Sequence, residues 1–315
     1  MGASPVVRHF IDLFDVTAAE VADLIAAASA LKLDDQRGHR PPLLSGRMLG
    51  LVFDKPSLRT RVSFETAITR LGGNALFLNG KDVGLGVRES LSDFARVISQ
   101  YVDALAVRTY SQTTLEELAR HATIPIINAL SDWSHPCQAL ADFLTIGEAL
   151  GPVAGRKIVF VGDGNNVARS LAQASAALGA EFVLSCPPGY EYPSIFESRF
   201  AAAYPGVPLQ IDHDPETAVV GADVLYSDVW VSMGQEDEVE SRKSVFEPYQ
   251  VNARLMGLAK ADAIFLHCLP AHRGEEVTEE VLDGPSSLVI PQAANRLHFQ
   301  KALLVWLLNR EGASS

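Results

Sequence analysis

Residues 54–65, with the sequence DKPSLRTRVSFE, carry hydroxyl and guanidinium groups of the kind that bind phosphate. Ser57 suits the N-cap of a helix that the apolar spacing extends to about residue 71. The first turn carries Arg59 and Arg61, although this positive end of the helix dipole favours acidic residues. A bound anion would resolve the conflict, because backbone N–H groups, hydroxyls and guanidinium groups would all donate to it.

An alternative explains Arg61 without an anion. Arg61 stands four residues before Glu65, which is the spacing of an ion pair on a helix face, and Arg59 would then simply be solvated. The pair does not explain why Arg59 converges with the hydroxyls of Ser57 and Thr60. The anion site is therefore the favoured interpretation.

A second candidate is His135 in the segment SHPCQ. Pro136 suits the first position of a helix, so His135 lies at a helix start, three residues before Gln138. A lone histidine is more often structural than catalytic. The donors of a helix start favour a functional role here, again toward an anion.

The elements that must position these residues alternate between strand and helix. Such alternation predicts an α/β protein with mostly parallel sheets covered by helices on both faces. Ligand-binding residues of such sheets gather at the carboxyl ends of the strands, where residues 56–61, Arg108 and the segment after Asn128 are placed. Strands are predicted at residues 48–53, 75–78, 103–107, 124–128, 157–161, 182–186, 223–227, 262–266 and 288–290. Helices are predicted from residues 18, 58, 90, 113, 136, 166 and 295, with a mobile glycine-rich segment at residues 79–87.

Composition limits the class of function. The sequence has 315 residues, enough for two domains, and a net charge of −12, which argues against binding to nucleic acid or anionic membranes. Cys137, Cys186 and Cys268 are far apart and odd in number, so they predict neither a disulfide framework nor a metal site. No leader or membrane-spanning run is evident, so a cytoplasmic protein is expected.

The segment GPVAG at residues 151–155 is predicted to separate two domains, 1–150 and 151–292, with a last helix from about residue 293 returning to the first. The second domain opens with a strand and the turn GDGNN, which resembles a dinucleotide fingerprint. Val167 stands at the third glycine position, and the next strand ends at Cys186 without the acid that would hold a ribose. A nicotinamide dehydrogenase is therefore disfavoured.

Four stretches together resemble the aspartate/ornithine carbamoyltransferase family, in family order and over nearly the whole chain. They are residues 55–65, 135–138, 228–234 and 267–274. The loop Ser232-Met233-Gly234 is similar to that of family members that use ornithine rather than aspartate, putrescine or N-acylated ornithine. The resemblance implies two α/β domains with the active site in the cleft between them, a homotrimer, and no metal or organic cofactor.

The resemblance also implies a role for each candidate residue. Carbamoyl phosphate would be bound by Ser57, Leu58, Arg59, Thr60, Arg108, His135, Gln138, Cys268, Leu269 and Arg296. Ornithine would be bound by Asn166, Asp228, Ser232 and Met233. Catalysis would depend on Arg59, Arg108, His135 and Cys268.

The implied reaction is attack of the ornithine δ-amine on the carbamoyl carbon, which gives L-citrulline and phosphate. Charge develops on the carbonyl oxygen and then on phosphate, and pre-placed donors stabilise it without a nucleophilic side chain. The amine must be uncharged, and a lysine-like amine has a pKa near ~10.4, so the rate is expected to rise into alkaline pH.

Other interpretations of single residues stay open at this stage. Asp228 and Ser232 fit a turn, Met233 fits core packing, and Cys268 fits a small buried apolar residue. Arg296 fits a solvated residue, although its predicted place in a first helical turn favours an anion partner. A transferase with another amine acceptor and a non-enzymatic relative are the remaining alternatives for the whole protein.

Three positions depart from the family pattern. Leu58 stands where a threonine is common, and its backbone N–H remains available. Gly84 stands where a glutamine or histidine often reaches the neighbouring subunit's site, a contact that Lys81 or Arg88 would have to replace. Ala294 replaces an acid that is common just before Asn295 and Arg296.

Overall fold

The computed structural model describes residues 7–231 and 239–309. The chain forms two compact units, one of residues Met1–Cys137 with Arg296–Ser315 and the other of residues Gln138–Asn295. Each unit is built on a parallel sheet with helices, so the predicted α/β class is confirmed. Among the described residues, no helix is both long and apolar enough to cross a membrane.

The sheet of the first unit has the strand order β2-β1-β3-β4, and every pairing is parallel. Its strands are β1 (Met48–Phe53), β2 (Asn74–Asn79), β3 (Ala104–Arg108) and β4 (Ile126–Leu130). The helices up to the unit boundary are α1 (Ala18–Gln36), α2 (Leu58–Arg70), α3 (Gly80–Val83), α4 (Leu91–Ile98), α5 (Gln112–His121) and α6 (Pro136–Leu150). Because the strands are parallel, their carboxyl ends share one edge of the sheet.

Local sequence signals explain where these helices begin. Thr17 and Glu20 form a capping box at the start of α1, and Ser57 caps α2 by accepting a hydrogen bond from the Thr60 N–H. The buried face of α2 carries Phe64 and Ile68, four residues apart as an amphipathic helix requires. The cap of α2 therefore lies just past the end of β1, which fixes the position of residues 57–60.

The sheet of the second unit has the strand order β7-β6-β5-β8-β9 and is also parallel throughout. Its strands are β5 (Lys157–Val161), β6 (Glu181–Ser185), β7 (Gln210–Asp212), β8 (Val224–Ser227) and β9 (Ile264–His267). Its further helices are α7 (Asn166–Leu178), α8 (Ser194–Ala203), α9 (Pro215–Ala218), α10 (Val239–Phe246), α11 (Ala253–Leu258), α12 (Glu279–Leu282) and α13 (Val289–Leu308). Helices α6 and α13 each contain a boundary between the units.

The predicted strand at residues 288–290 is wrong. Val289 begins helix α13, and only Ser287 pairs with a strand residue, Phe265. Pro291 is tolerated because it falls in the first helical turn, where backbone N–H groups lack intrahelical partners. Arg296 is therefore seven residues inside the helix, so the first-turn dipole argument for an anion at Arg296 fails.

Two stretches of the first unit show local detail that the sequence pattern does not indicate. The glycine-rich segment after β2 contains helix α3, capped by Asn79 and ended by Gly84 in a left-handed conformation. On α4, Phe94 and Ile98 are buried, whereas the apolar side chain of Val97 is 49% exposed. Apolar periodicity alone does not reveal which apolar side chains stay on the surface.

Asp35 joins three helices of the first unit. Its buried carboxylate, near the end of α1, lies 2.9 Å from Arg70 on α2 and 3.0 Å from Lys301 on α13. Arg40 binds it as well, at 3.0 Å. These cations lower the pKa of Asp35 to about 2 even though burial alone would raise it. The last helix of the chain is thus tied by charge to two helices from its beginning.

We expect Asp35→Ala to lower the free energy of unfolding by about 3 kcal/mol, because the buried ammonium of Lys301 would lose its counter-charge. Urea denaturation would measure the loss. The control Glu216→Ala breaks an exposed pair with Arg254 and should lose less than about 1 kcal/mol. Since the folded pKa lies below the ordinary 3.8, the contribution of Asp35 should be present above that pH and vanish as the pH falls toward 2. Equal losses in the two variants would contradict this account.

Candidate functional site

The N-terminus of α2 forms a compact group of donors in the first unit. The Ser57 hydroxyl donates to the Thr60 hydroxyl oxygen at 2.9 Å, and the buried Arg296 guanidinium donates to the same oxygen at 2.5 Å. Thr60 thus accepts two hydrogen bonds through its side chain, which leaves its own O–H to donate elsewhere. Residues 236 positions apart in the sequence meet here, and the hydroxyl of Thr60 is oriented as a donor.

The two arginines of the first turn have different surroundings. Arg61 pairs with Glu65 at 2.9 Å and lies over the Phe77 ring at 3.7 Å from its centroid, so the predicted ion pair is confirmed. Arg59 is exposed and makes no ion pair or hydrogen bond with any residue that the structure describes. Leu58 is 79% exposed, so its backbone is the part of the residue that lies in the capped turn. Of the two arginines, Arg59 is therefore the one whose guanidinium group is available to bind an anion.

His135 is buried between cationic groups. Burial, and then the charges of Arg296 and Arg108, hold its pKa well below the ordinary value. The imidazole is consequently neutral at physiological pH and can donate one hydrogen bond without adding charge. Burial also raises the pKa of the neighbouring Cys137 to about 12, so this thiol stays protonated and is no nucleophile.

The turn before His135 is held rigidly by hydrogen bonds. Buried Asn128, on β4, donates to the Ile11 carbonyl and to the Ser134 hydroxyl, each at 2.9 Å. Ser131 donates to the Gln112 side chain at 2.6 Å and its N–H bonds to the Ser134 carbonyl. This network explains how a loop can place an imidazole reproducibly next to Arg108, the last residue of β3.

A separate polar group lies at the carboxyl ends of β5, β8 and β9 in the second unit. Buried Asp228 accepts from Asn165 at 3.1 Å and from the Cys268 thiol at 3.0 Å. Asn165 also caps α7, so this side chain, which the sequence analysis did not single out, both starts the helix and orients Asp228. The preference of asparagine for N-cap positions was the sequence signal that could have drawn attention to Asn165.

The loop after β9 is shaped by its own histidine. The Leu269 N–H donates to His267 Nδ1 at 2.8 Å, which leaves Nε2 as the protonated nitrogen, 3.3 Å from buried Glu276. Leu269 itself adopts a positive φ of 58°, an uncommon conformation for a branched residue and one that clusters at functional sites. Ser232 and Met233, predicted for ornithine, lie outside the described residues.

Comparison with family models matches both halves of the chain. Residues 8–148 match the carbamoyl-P binding domain of aspartate/ornithine carbamoyltransferase, and residues 154–307 match the Asp/Orn binding domain.

The chain belongs to the aspartate/ornithine carbamoyltransferase family.

The similarity covers almost the full length of its carbamoyltransferase relatives. Over 304 residues the chain is 51% identical to the anabolic ornithine carbamoyltransferase of Pyrococcus furiosus, covering 96% of each chain. It is also 51% identical over 296 residues to the ornithine carbamoyltransferase of Desulfotalea psychrophila, covering 94% of this chain and 97% of that one. The predicted family resemblance is thus confirmed.

Solved structures of carbamoyltransferases agree with the fold. The Pyrococcus furiosus ornithine carbamoyltransferase superposes with a TM-score of 0.92 at 49% identity, covering 98% of this chain and 99% of that one. The anabolic enzyme of Campylobacter jejuni gives 0.90 at 38% identity, covering 97% and 100%.

We expect Arg59→Ala to weaken binding of inorganic phosphate or carbamoyl phosphate by about 10- to 100-fold, because a charge-assisted bond to the anion is lost. Titration calorimetry would measure the affinity. Arg61→Ala is the matched control, two residues along the same turn, and should change affinity less than about 3-fold because Arg61 is engaged by Glu65. An Arg59 variant that binds phosphate normally would refute the anion site.

Proposed function

We propose that this protein transfers the carbamoyl group of carbamoyl phosphate to the δ-amino group of L-ornithine, giving L-citrulline and phosphate. The observation that carries the proposal is the donor group at the start of α2, where Thr60 accepts from Ser57 and Arg296 and keeps its own O–H to donate. Such a group suits a phosphate, and the start of α2 lies within residues 8–148, which match the carbamoyl-P binding domain. The Pyrococcus furiosus relative is named anabolic, which supports citrulline formation for arginine biosynthesis as the working direction.

The phosphate of carbamoyl phosphate is assigned to residues of the first unit. Ser57, Thr60 and the N–H groups of the first turn, including that of Leu58, would hold its oxygens, with Arg59 as the exposed cation. Arg108 would join them on the phosphate and Arg296 would reach the carbamoyl side, and the charges of both arginines act on His135. This assignment gives Arg59 and Arg108 a counter-charge when the phosphate is bound.

His135 suits the carbonyl oxygen of the carbamoyl group. As the amine attacks, negative charge grows on that oxygen, and a fixed neutral imidazole N–H can stabilise it without reorganisation. Gln138 would bind the carbamoyl amino group. Because the pKa of His135 is lowered, its ionisation does not contribute to a rise of the rate at alkaline pH. Deprotonation of the δ-amine of ornithine would cause that rise.

Ornithine is assigned to the polar group of the second unit. The carboxylate of Asp228, oriented by Asn165 and Cys268, would pair with the α-ammonium of the amino acid, with Asn166 beside it. Ser232 and Met233 keep the role of holding the carboxylate. Cys268 and Leu269 would lie near the reacting amine, with Leu269 contributing backbone groups. No side chain serves as a nucleophile in this mechanism, and no metal or organic cofactor is included in the proposal.

A product assay tests the reaction directly. With carbamoyl phosphate and a panel of amines, we expect citrulline from L-ornithine and at most a few per cent of that rate with putrescine or aspartate. Chromatographic detection of each carbamoyl product would provide the measurement. Carbamoylputrescine as the main product would favour a sister transferase, and absence of every product would favour a non-enzymatic relative.

We further propose that the protein is a homotrimer. Exposed apolar side chains occur on α2, β2 and the segment after α3 of the first unit, where a partner subunit would cover them. They are Leu58, Val62, Leu76 and Val87. Analytical ultracentrifugation should give about three times the chain mass of 34.0 kDa, and Val62→Glu should lower it. A monomer at micromolar concentration would contradict the proposal.

A cytoplasmic location is part of the same proposal. Cys137, Cys186 and Cys268 are present as thiols, as a reducing compartment would keep them, and the substrates are small metabolites. The net charge of −12 disfavours partnership with nucleic acid or a membrane surface. Cell fractionation would test the location, and recovery in the membrane fraction would argue against it.

A further inference from the structure

A second buried carboxylate of the second unit collects three hydrogen bonds. Asp142, fully buried on α6, accepts from the side-chain nitrogen of Gln138 at 2.7 Å and from that of Gln292 at 2.8 Å, both on one oxygen. Its other oxygen accepts from the Tyr226 hydroxyl at 3.0 Å. No local pattern indicates this cluster, because its members lie on α6, β8 and the start of α13.

The carboxylate determines which way the Gln138 amide points. A carboxylate only accepts hydrogen bonds, so the NH₂ of Gln138 must face Asp142 and the amide oxygen must face away. That oxygen is buried and accepts no hydrogen bond from a residue that the structure describes. A buried acceptor without a partner costs free energy, and a ligand N–H would remove that cost.

The neighbours of Asp142 cannot offer Gln138 a different arrangement. Gln292 is fixed at both ends, since its nitrogen donates to Asp142 and its oxygen accepts from the His267 N–H at 2.9 Å. Burial and the charge of Asp142 raise the pKa of Tyr226 well above its ordinary value, so the phenol remains a donor. Turning the Gln138 amide would place its oxygen against a carboxylate that has nothing to donate.

We propose that Asp142 is a positioning residue that locks the Gln138 amide oxygen toward the substrate, so that this oxygen reads the NH₂ of the carbamoyl group. The inference rests on the proposed function and adds a basis for substrate choice. Acetyl phosphate has a methyl group in place of that NH₂ and would leave the Gln138 oxygen without a partner. Asp142 thereby contributes to the distinction between carbamoyl and acetyl phosphates without touching either.

The test uses Asp142→Asn, which keeps the shape but offers an NH₂ as well as an oxygen, so the Gln138 amide can turn either way. We expect kcat/KM for carbamoyl phosphate to fall about 10- to 100-fold. Inhibition by inorganic phosphate, which lacks the carbamoyl group, should change less than about 2-fold. The preference for carbamoyl phosphate over acetyl phosphate, measured as competing inhibitor, should shrink by about 5-fold or more.

Tyr226→Phe is the matched control, because it removes a donor from the opposite carboxylate oxygen and leaves the Gln138 bond in place. It should change the same kcat/KM less than about 3-fold. An unchanged preference in Asp142→Asn would overturn the inference, and so would a parallel loss of phosphate affinity, which would indicate general disruption.

If Asp142→Asn does not fold, a binding measurement on the wild-type protein still tests the inference. Acetyl phosphate should bind it at least about 10-fold more weakly than carbamoyl phosphate, and equal binding would overturn the inference. Failure of the proposed function is separately visible, because a wild-type protein that forms no citrulline contradicts the reaction itself. If the wild-type protein is active and Asp142→Asn keeps the same preference for carbamoyl phosphate, only the role of Asp142 is contradicted.

Discussion

Two buried guanidinium groups set the chemistry of the first unit. Arg108 ends β3 and Arg296 lies within α13, and together with burial their charges keep His135 neutral. The same Arg296 orients the Thr60 hydroxyl at the start of α2. Positive charge, helix N–H groups and a donor hydroxyl thus accumulate at one edge of the sheet. A polyanionic small molecule suits such an environment, because it alone supplies several acceptors and the opposite charge at once.

Buried carboxylates organise the polar groups of the second unit. Asp228 and Asp142 are both buried, and hydrogen-bond donors from neighbouring side chains orient each carboxylate. A carboxylate in this position acts as an anchor, because it dictates which end of a neighbouring amide or hydroxyl faces outward. The first unit therefore presents donors, whereas the second presents oriented carboxylate and amide oxygens. Their chemical complementarity matches a reaction between an anion and an amine.

The sequence predicted the parts of the fold that depend on local signals. Strand β1 and the cap at Ser57 were identified correctly because apolar runs and N-cap residues act within a few positions. The start of α13 was misplaced because residues 288–290 form a short apolar run before a proline, which fits a strand and a helix start equally well. Contacts between distant elements, such as Asn165 with Asp228 or Asp142 with Gln292, have no local signature. The residues could be named from family motifs, but the bonds that orient them could not.

The discontinuity of the first unit has a consequence for biosynthesis. Residues 138–295 form one uninterrupted unit, whereas the first unit needs the final stretch of chain from Arg296 onward. On the ribosome, the nascent chain can fold its middle section while the partner of Thr60 is still being translated. The early segment must wait with Asp35 and Thr60 lacking their late-synthesised cations, Lys301 and Arg296. These contacts are thus among the last to form during synthesis, and a chain that ended before residue 296 would lack the Arg296 donor at the start of α2.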